Sequence, residues 1–449
     1  MAGSKQNKMV TVGFVPLGCP KNTVDSEKML GQIGQAGFVI TADADSADVV
    51  VINTCGFIGP AKVEALAAIR RAVAGKKKAP ARKVIVTGCL PQRFGRRLLT
   101  QMNGVDAIVG LGQRDRIVQI IERTLLGREP AAYLRPVRPG VQDDRARLLL
   151  TPRHWAYLRI SEGCNRKCSF CTIPAIRGRF RSKPPELVLE EARELVANGV
   201  VELNIVAQDT TVYGRELGLK HGLSRLVKEL AKIERLRWIR LMYLYPAAID
   251  EILIETIGST EKVVKYVDMP VQHINDDILR AMRRPDRKEC IIRLIGKLRA
   301  TMPDVALRTT VMVGFPGESR RQFEELVDFV RWARFDALGC FRFYAEPPTA
   351  AASMPGQIPP EVKKQRYERI MAEQQKIAFA KNRLHIGREL MCLVDSMNSR
   401  HRARGRYYGQ APCIDSVCIV RSCRCKTGEF ARVRITGSRG YDLVAQEIC

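Results

Sequence analysis

The chain has 449 residues, about three domains' worth at roughly 150 residues each, with 46% hydrophobic and 27% charged residues. That balance belongs to a globular protein and excludes a disordered chain, a collagen and a coiled-coil rod. Lysine and arginine number 74 against 47 acidic residues, a net charge of +27. A surplus of that size favours a phosphate-bearing partner such as nucleic acid or a ribonucleoprotein, unless it reflects a generally basic proteome. No apolar run approaches the ~20 residues a membrane span needs. Met1–Lys8 is polar and basic without an apolar core, so a cytoplasmic location is expected. Fourteen cysteines in such a setting point to metal binding or catalysis before disulfides.

In chain order, Val12–Leu17, Asp48–Asn53 and Lys83–Thr87 read as buried parallel strands, β-branched and continuous rather than alternating. Met29, Leu30, Ile33 and Ala36 recur at helical spacing, with Gly37 as the stop. The segment from residue 9 to 125 therefore predicts an open α/β sheet domain. Residues 126–150, with Pro130, Pro136, Pro139 and Gly140, read as a linker. From 151 to 383 the βα pattern returns. Strands are predicted at Ala156–Ile160, Val201–Ala207, Trp238–Leu244, Val263–Asp268, Val305–Val313 and Ala337–Tyr344. Six βα units are too few for a closed eightfold barrel, so a partial, TIM-like (βα)6 barrel is expected. A polar helix from Glu361 to about Leu384 follows it. Residues 384–449 alternate in short strands at Glu389–Val394, Val417–Val420, Phe430–Ile435 and Tyr441–Val444, a small all-β barrel.

The cysteines carry the chemistry. Cys164, Cys168 and Cys171 form a CxxxCxxC run just after the first barrel strand. Three thiolates in one loop suit three irons of a [4Fe–4S] cluster, which four cysteines normally hold. The missing fourth ligand leaves an iron open to a small molecule. Structural zinc takes a closed set of four ligands, and no fourth Cys or His follows nearby. Cys19, Cys55 and Cys89 each stand just beyond the carboxyl end of a predicted strand, in Leu17-Gly18-Cys19, Asn53-Thr54-Cys55-Gly56 and Thr87-Gly88-Cys89. Ligands of open α/β sheets bind outside that edge, so three such loops can converge on a second cluster. The alternative is ordinary packing of small thiols at strand ends. Cys290, Cys340, Cys392 and Cys449 are isolated and read as packing or surface thiols. Cys413, Cys418, Cys423 and Cys425 lie within thirteen residues and invite a zinc reading, but their loops would have to fold back within a strand–turn–strand.

CxxxCxxC after the first strand of a partial barrel resembles the radical S-adenosylmethionine superfamily. With a three-cysteine α/β domain before it and a β module after it, nearly the whole chain resembles the methylthiotransferases, whose last module is a TRAM domain. Gly18-Cys19-Pro20-Lys21-Asn22, Asn53-Thr54-Cys55-Gly56-Phe57-Ile58, Gln208-Asp209-Thr210, Gln272-His273 and the ending around Tyr441-Asp442-Leu443 are similar to the ribosomal-protein branch rather than the tRNA branch. The resemblance implies two 4Fe–4S clusters, at Cys19, Cys55 and Cys89 and at Cys164, Cys168 and Cys171. It implies that the second cluster binds S-adenosylmethionine and cleaves it to a 5′-deoxyadenosyl radical, while the first presents a sulfur that another S-adenosylmethionine methylates. The substrate it implies is the β-carbon of an aspartate in small-subunit ribosomal protein twelve, within or near the 30S subunit. Alternatives are a tRNA adenosine methylthiotransferase and a non-catalytic ribosome- or RNA-binding iron–sulfur protein.

Other candidates are less specific. Gln208 could bind the amino group of S-adenosylmethionine and Arg308 its carboxylate, or each could be a structural polar group. Gly314-Phe315-Pro316-Gly317-Glu318 is a turn that could sit against adenine, and His273 reads equally as a substrate contact or a core histidine. Pro152–Lys183 holds eight basic residues and one acidic residue, a basic rim or a solvated face. The β module is also basic, which fits contact with ribosomal RNA better than with a basic protein. An electron donor is required.

Overall fold

A computed structural model describes residues 9–127, 129–137, 143–398 and 402–448. It divides into two compact units. Cys449, Pro139 and Gly140 lie outside the described residues.

The first unit comprises the chain up to Leu150 together with 162–166 and 171–181. Its sheet contains β1 (Thr11–Pro16), β2 (Val39–Thr41), β3 (Val49–Thr54), β4 (Lys83–Gly88), β5 (Ala107–Val109) and β6 (Ala131–Tyr133). The strands are all parallel in the order β2-β1-β3-β4-β5-β6. Helices α1 (Pro20–Gln35), α2 (Gly59–Ala74), α3 (Cys89–Phe94), α4 (Arg97–Gln101) and α5 (Ile117–Leu126) connect them. Successive side chains of a strand face opposite ways, and both faces of this sheet are covered. Val50, Ile52, Val84 and Val86 pack with Ala65 and Ile69 of α2. Val49, Val51 and Ile85 pack with Met29 and Ile33 of α1 and Ile120 and Ile121 of α5. Burial on both sides is why β3 and β4 read as unbroken apolar runs.

The predicted linker needs correction. Within 126–150, Ala131–Tyr133 adds β6 to the sheet, and the later part straps α1. Leu148 N–H donates to Glu27 O at 3.1 Å, and Arg147 pairs with the buried Glu27 at 3.1 Å. Prolines disguise a three-residue edge strand, and the Arg147–Glu27 pair spans 120 positions, beyond any local pattern.

The second unit holds β7 (Trp155–Arg159), β10 (Glu202–Val206), β11 (Trp238–Leu241), β12 (Val263–Asp268), β13 (Ala306–Val313) and β14 (Ala337–Arg342), and β8 (Ser161–Glu162) pairs with β9 (Arg181–Ser182) in a separate ribbon. The six barrel strands are parallel in the order β14-β13-β12-β11-β10-β7 and do not close, as six βα units require. The short α6 (Ile173–Arg177) belongs to the first unit, and the covering helices of the second are α7 (Pro185–Ala197), α8 (Gly222–Ala231), α9 (Glu251–Ser259), α10 (Asp276–Ala281), α11 (Lys288–Thr301) and α12 (Arg320–Ala333). The long α13 (Pro360–His385) leads into a closed five-strand barrel of β15 (Glu389–Met397), β16 (Ala403–Tyr407), β17 (Cys418–Arg421), β18 (Phe430–Arg439) and β19 (Asp442–Glu447).

Buried charges join this small barrel to the larger one. Glu202 is paired with Arg240 at 3.0 Å and with Arg406 at 2.7 Å, all three buried. Arg406 also grips Asp395, which His154 meets at 2.9 Å. Arg240 donates to Tyr408 O at 2.6 Å, and Tyr266 OH donates to Asp415 at 2.7 Å. Trp238 meets Phe430 edge-on at 4.9 Å.

Candidate metal centre

The first unit has the strand order of a doubly wound sheet, in which the chain reverses direction between β1 and β3. That reversal opens a crevice at the carboxyl ends of the strands. Cys19 follows β1 and caps α1, Cys55 follows β3, and Cys89 follows β4 as the first residue of α3. The three predicted positions are thereby brought to one edge.

Their loops touch through backbone and through one side chain. Gly18 has φ +102°, and a Cβ there would stand 3.0 Å from Cβ of Cys55 and 2.7 Å from Nδ2 of Asn22. Gly88, at φ +101°, leaves no room for a Cβ beside Asn53 Oδ1 and the Thr54 carbonyl. Glycine alone suits both the conformation and the close approach. Asn22 ties the loops together. Its Nδ2 donates to Leu17 O at 3.0 Å in the Cys19 loop and to Thr54 O at 3.1 Å in the Cys55 loop. Its Oδ1 faces Cys89 Sγ at 3.6 Å.

The electrostatics differ among the thiols. Burial resists ionisation of Cys19, but Lys21, Arg177 and the backbone N–H groups of Asn22 and Lys21 outweigh it, and its pKa falls below the usual thiol value. A helix N-terminus favours a thiolate in the same way. Burial raises Cys55 and pushes Cys89 up to about 12, and the neighbouring thiols add to both shifts. Three thiols that oppose one another's ionisation need a cationic partner to be thiolates together.

Arg177, at the end of α6, supplies a cation. It donates to Asn22 Oδ1 at 2.6 Å and to Asp25 Oδ2 at 3.0 Å, and pairs with Glu162 at 2.9 Å. Asp25 is also held by Arg114. Arg177 and Asp25 are each 1% exposed at the side chain. Sequence reasoning passed over this group. Arg177 was one of eight basic residues in Pro152–Lys183, and Asn22 only part of a motif. The one signal was position, since Arg177 lies six residues beyond Cys171.

Cys164, Cys168 and Cys171 lie on the loop between β8 and α6. Cys164 Sγ accepts from Arg166 N–H at 3.4 Å and Cys171 Sγ from Ile173 N–H at 3.5 Å, the loop wrapping its own thiols. Gln208 stands two residues past the end of β10, half-buried. Arg308, at β13, carries two carboxylate neighbours. It is paired through Nη1 with Asp268 at 2.7 Å and through Nε with Asp415 at 3.5 Å. His273 is a fully buried core residue whose Nδ1 accepts from Asn275 N–H. Gly314 and Gly317 have positive φ in the predicted turn. Cys392, Cys418 and Cys423 pack in the core of the small barrel, Cys340 is buried, and Cys290 and Cys413 are exposed. Among the described residues, no three His, Cys, Asp or Glu side chains are grouped to hold a single metal ion.

The donor set fits an iron–sulfur cluster. Cys19, Cys55 and Cys89 offer three soft sulfurs on glycine-flanked loops, with an arginine fork behind them. Residues 11–110 match the uncharacterized protein family UPF0004, 158–330 the radical SAM superfamily and 386–448 the TRAM domain. The chain is 43% identical over 444 residues to ribosomal protein uS12 methylthiotransferase RimO of Geobacter sulfurreducens, covering 98% of this chain and 99% of that one. It is 43% identical to the RimO of Symbiobacterium thermophilum, covering 97% and 91%. Among solved structures, the radical S-adenosylmethionine methyltransferase TsrM of Kitasatospora setae, with cobalamin and a [4Fe-4S] cluster bound, shares the fold at TM-score 0.53 and 16% identity, over 76% of each chain. By near-full-length identity and all three domain matches, the chain belongs to the RimO family of radical S-adenosylmethionine methylthiotransferases.

Proposed function

We propose that this enzyme adds a methylthio group to the β-carbon of an aspartate in ribosomal protein uS12, consuming two S-adenosylmethionine molecules. The observation that carries the reading is the meeting of three cysteine loops at one sheet edge, organised by Asn22, in a chain 43% identical to RimO over 444 residues. S-adenosylmethionine and 4Fe–4S clusters are the cofactors of this family. In the proposed assignment Cys19, Cys55 and Cys89 hold one cluster, and Cys164, Cys168 and Cys171 hold the other. Bound there, these groups supply a carbon radical for an unactivated C–H bond and the sulfur that replaces its hydrogen.

The chain's own residues provide the setting. Asn22 fixes the separation of the Cys19 and Cys55 loops through two backbone carbonyls. Arg166 within the Cys164–Cys171 loop and Ile173 just after it donate N–H groups to Cys164 Sγ and Cys171 Sγ, which tunes such ligands. Gln208, two residues past the end of β10, would accept from the cofactor's amino group. The division into 9–125, 126–150, 151–383 and 384–449 gives one segment to each task, with residues 145–150 strapped to α1. Action within or near the 30S subunit, contact of the basic β module with ribosomal RNA, an external electron donor and a cytoplasmic location complete the reading. No helix among the described residues is long and apolar enough to cross a membrane.

Mass spectrometry of uS12 from a strain lacking the gene tests it. The aspartate peptide is expected to lose one methylthio group and regain it on complementation. An unchanged peptide, with a methylthio nucleoside missing from tRNA, would overturn the reading.

A further inference from the structure

Arg177 is a buried cation with a defined set of partners. It reaches the sheet edge from α6, the helix that follows the CxxxCxxC run, and its Nη2 donates to the Asn22 Oδ1 that also faces Cys89 Sγ. Two carboxylates, Asp25 and Glu162, share its charge, and Arg114 shares Asp25 in turn. Ion pairs this deeply buried are poor sources of stability, because desolvation offsets much of the attraction. Arginine stays charged at any physiological pH, and its planar fork lets it hold Asn22 and the carboxylates at once.

We propose that Arg177 is a positioning residue for the Cys19–Cys55–Cys89 site, fixing Asn22 and setting the reduction potential of the cluster held there through a charge balance with Asp25. The inference rests on the cluster assignment proposed above. Cluster potential follows net charge and hydrogen bonding around the sulfurs. A nearby positive charge in a low-dielectric setting favours the electron-richer state, and a nearby carboxylate disfavours it. Because Arg177 lies six residues beyond Cys171, one short segment both carries ligands for one site and tunes the other.

The test uses the full chain carrying Cys168→Ala, which leaves only the first cluster, reconstituted anaerobically and titrated with dithionite under electron paramagnetic resonance. Arg177→Gln is expected to move the midpoint to more negative potential, and Asp25→Asn to more positive potential. Arg177→Lys, which keeps the charge, is expected to restore most of the shift. Opposite signs at two residues that touch each other are not produced by a general loosening of the fold, which would move both the same way. Midpoints unchanged in both variants, or shifted alike, would overturn the charge role while leaving the cluster assignment standing. Absence of any four-iron signal in Cys168→Ala with Arg177 intact would overturn the assignment and the inference together. If Arg177→Gln fails to fold, the sign of the Asp25→Asn shift decides.

Discussion

Asn22→Ala separates the organising role of this side chain from its place in a helix. Position 22 lies in the first turn of α1, where alanine is well tolerated, so the helix itself should survive. What is lost is specific: two N–H donors to the carbonyls of Leu17 and Thr54, at 3.0 and 3.1 Å, and the oxygen that accepts from Arg177 at 2.6 Å. A buried polar group left without its partner costs about 1–3 kcal/mol. Two carbonyls therefore set the loss at about 2–6 kcal/mol, with Arg177 still engaged by Asp25 and Glu162. At about 1.4 kcal/mol per tenfold, this corresponds to roughly 30-fold or more in local opening. Hydrogen exchange of the cluster-free chain, read by mass spectrometry on peptides spanning 11–35 and 49–60, measures it. Faster exchange is expected in those peptides. Tryptophan fluorescence is an internal control, because Trp155, Trp238 and Trp332 all lie in the second unit. Exchange within threefold of the parent chain would refute the reasoning, since the loops would then be held by something else.

Three further outcomes follow from other parts of the molecule. Glu202→Gln removes one carboxylate from between two buried arginines, Arg240 and Arg406, and leaves their charges poorly matched. The expected cost is about 3–5 kcal/mol, seen in urea melts through Trp238, which packs on Phe430 of the small barrel. Asp395 titrates below the usual carboxylate range. Burial works against this, but hydrogen bonds from His154 and Arg406 prevail. A depressed carboxyl contributes stability above its unfolded value near 3.9 that is lost as pH falls below it. Asp395→Asn is therefore expected to destabilise the second unit by about 1–3 kcal/mol at pH 7, with the gap from the parent chain closing below about pH 4 in melts across pH. Finally, Cys168→Ala is expected to abolish 5′-deoxyadenosine release, whereas Cys55→Ala should retain it and lose methylthio transfer, both read by liquid chromatography. Transfer surviving Cys55→Ala would contradict the sulfur-donor role of the first site.

Much of the architecture was legible because the patterns are local. β3 and β4 are continuous β-branched runs buried on both faces, and the six barrel strands recur with helices between them, each within a few residues of its predicted span. The three-residue strands β2, β5 and β6 were missed, being too short to show a period, and so was β16, where alternating Arg and small residues mask the pattern. At the site, the six cysteines were visible through spacing and through their place after strands. The residues around them were not. Asn22 and Arg177 meet across 155 positions, and Arg308 finds Asp415 only because the β module docks on the larger barrel. Such pairings belong to tertiary contact, so no window of sequence contains them.

In the assignment proposed here, six thiols form two separate iron–sulfur sites. Iron and inorganic sulfide counted per chain after anaerobic reconstitution test it most directly. About eight irons are expected for the parent chain and about four for either Cys55→Ala or Cys168→Ala, with almost none when the two changes are combined. A parent chain that stops at about four irons, or a single substitution that empties both sites, would contradict it.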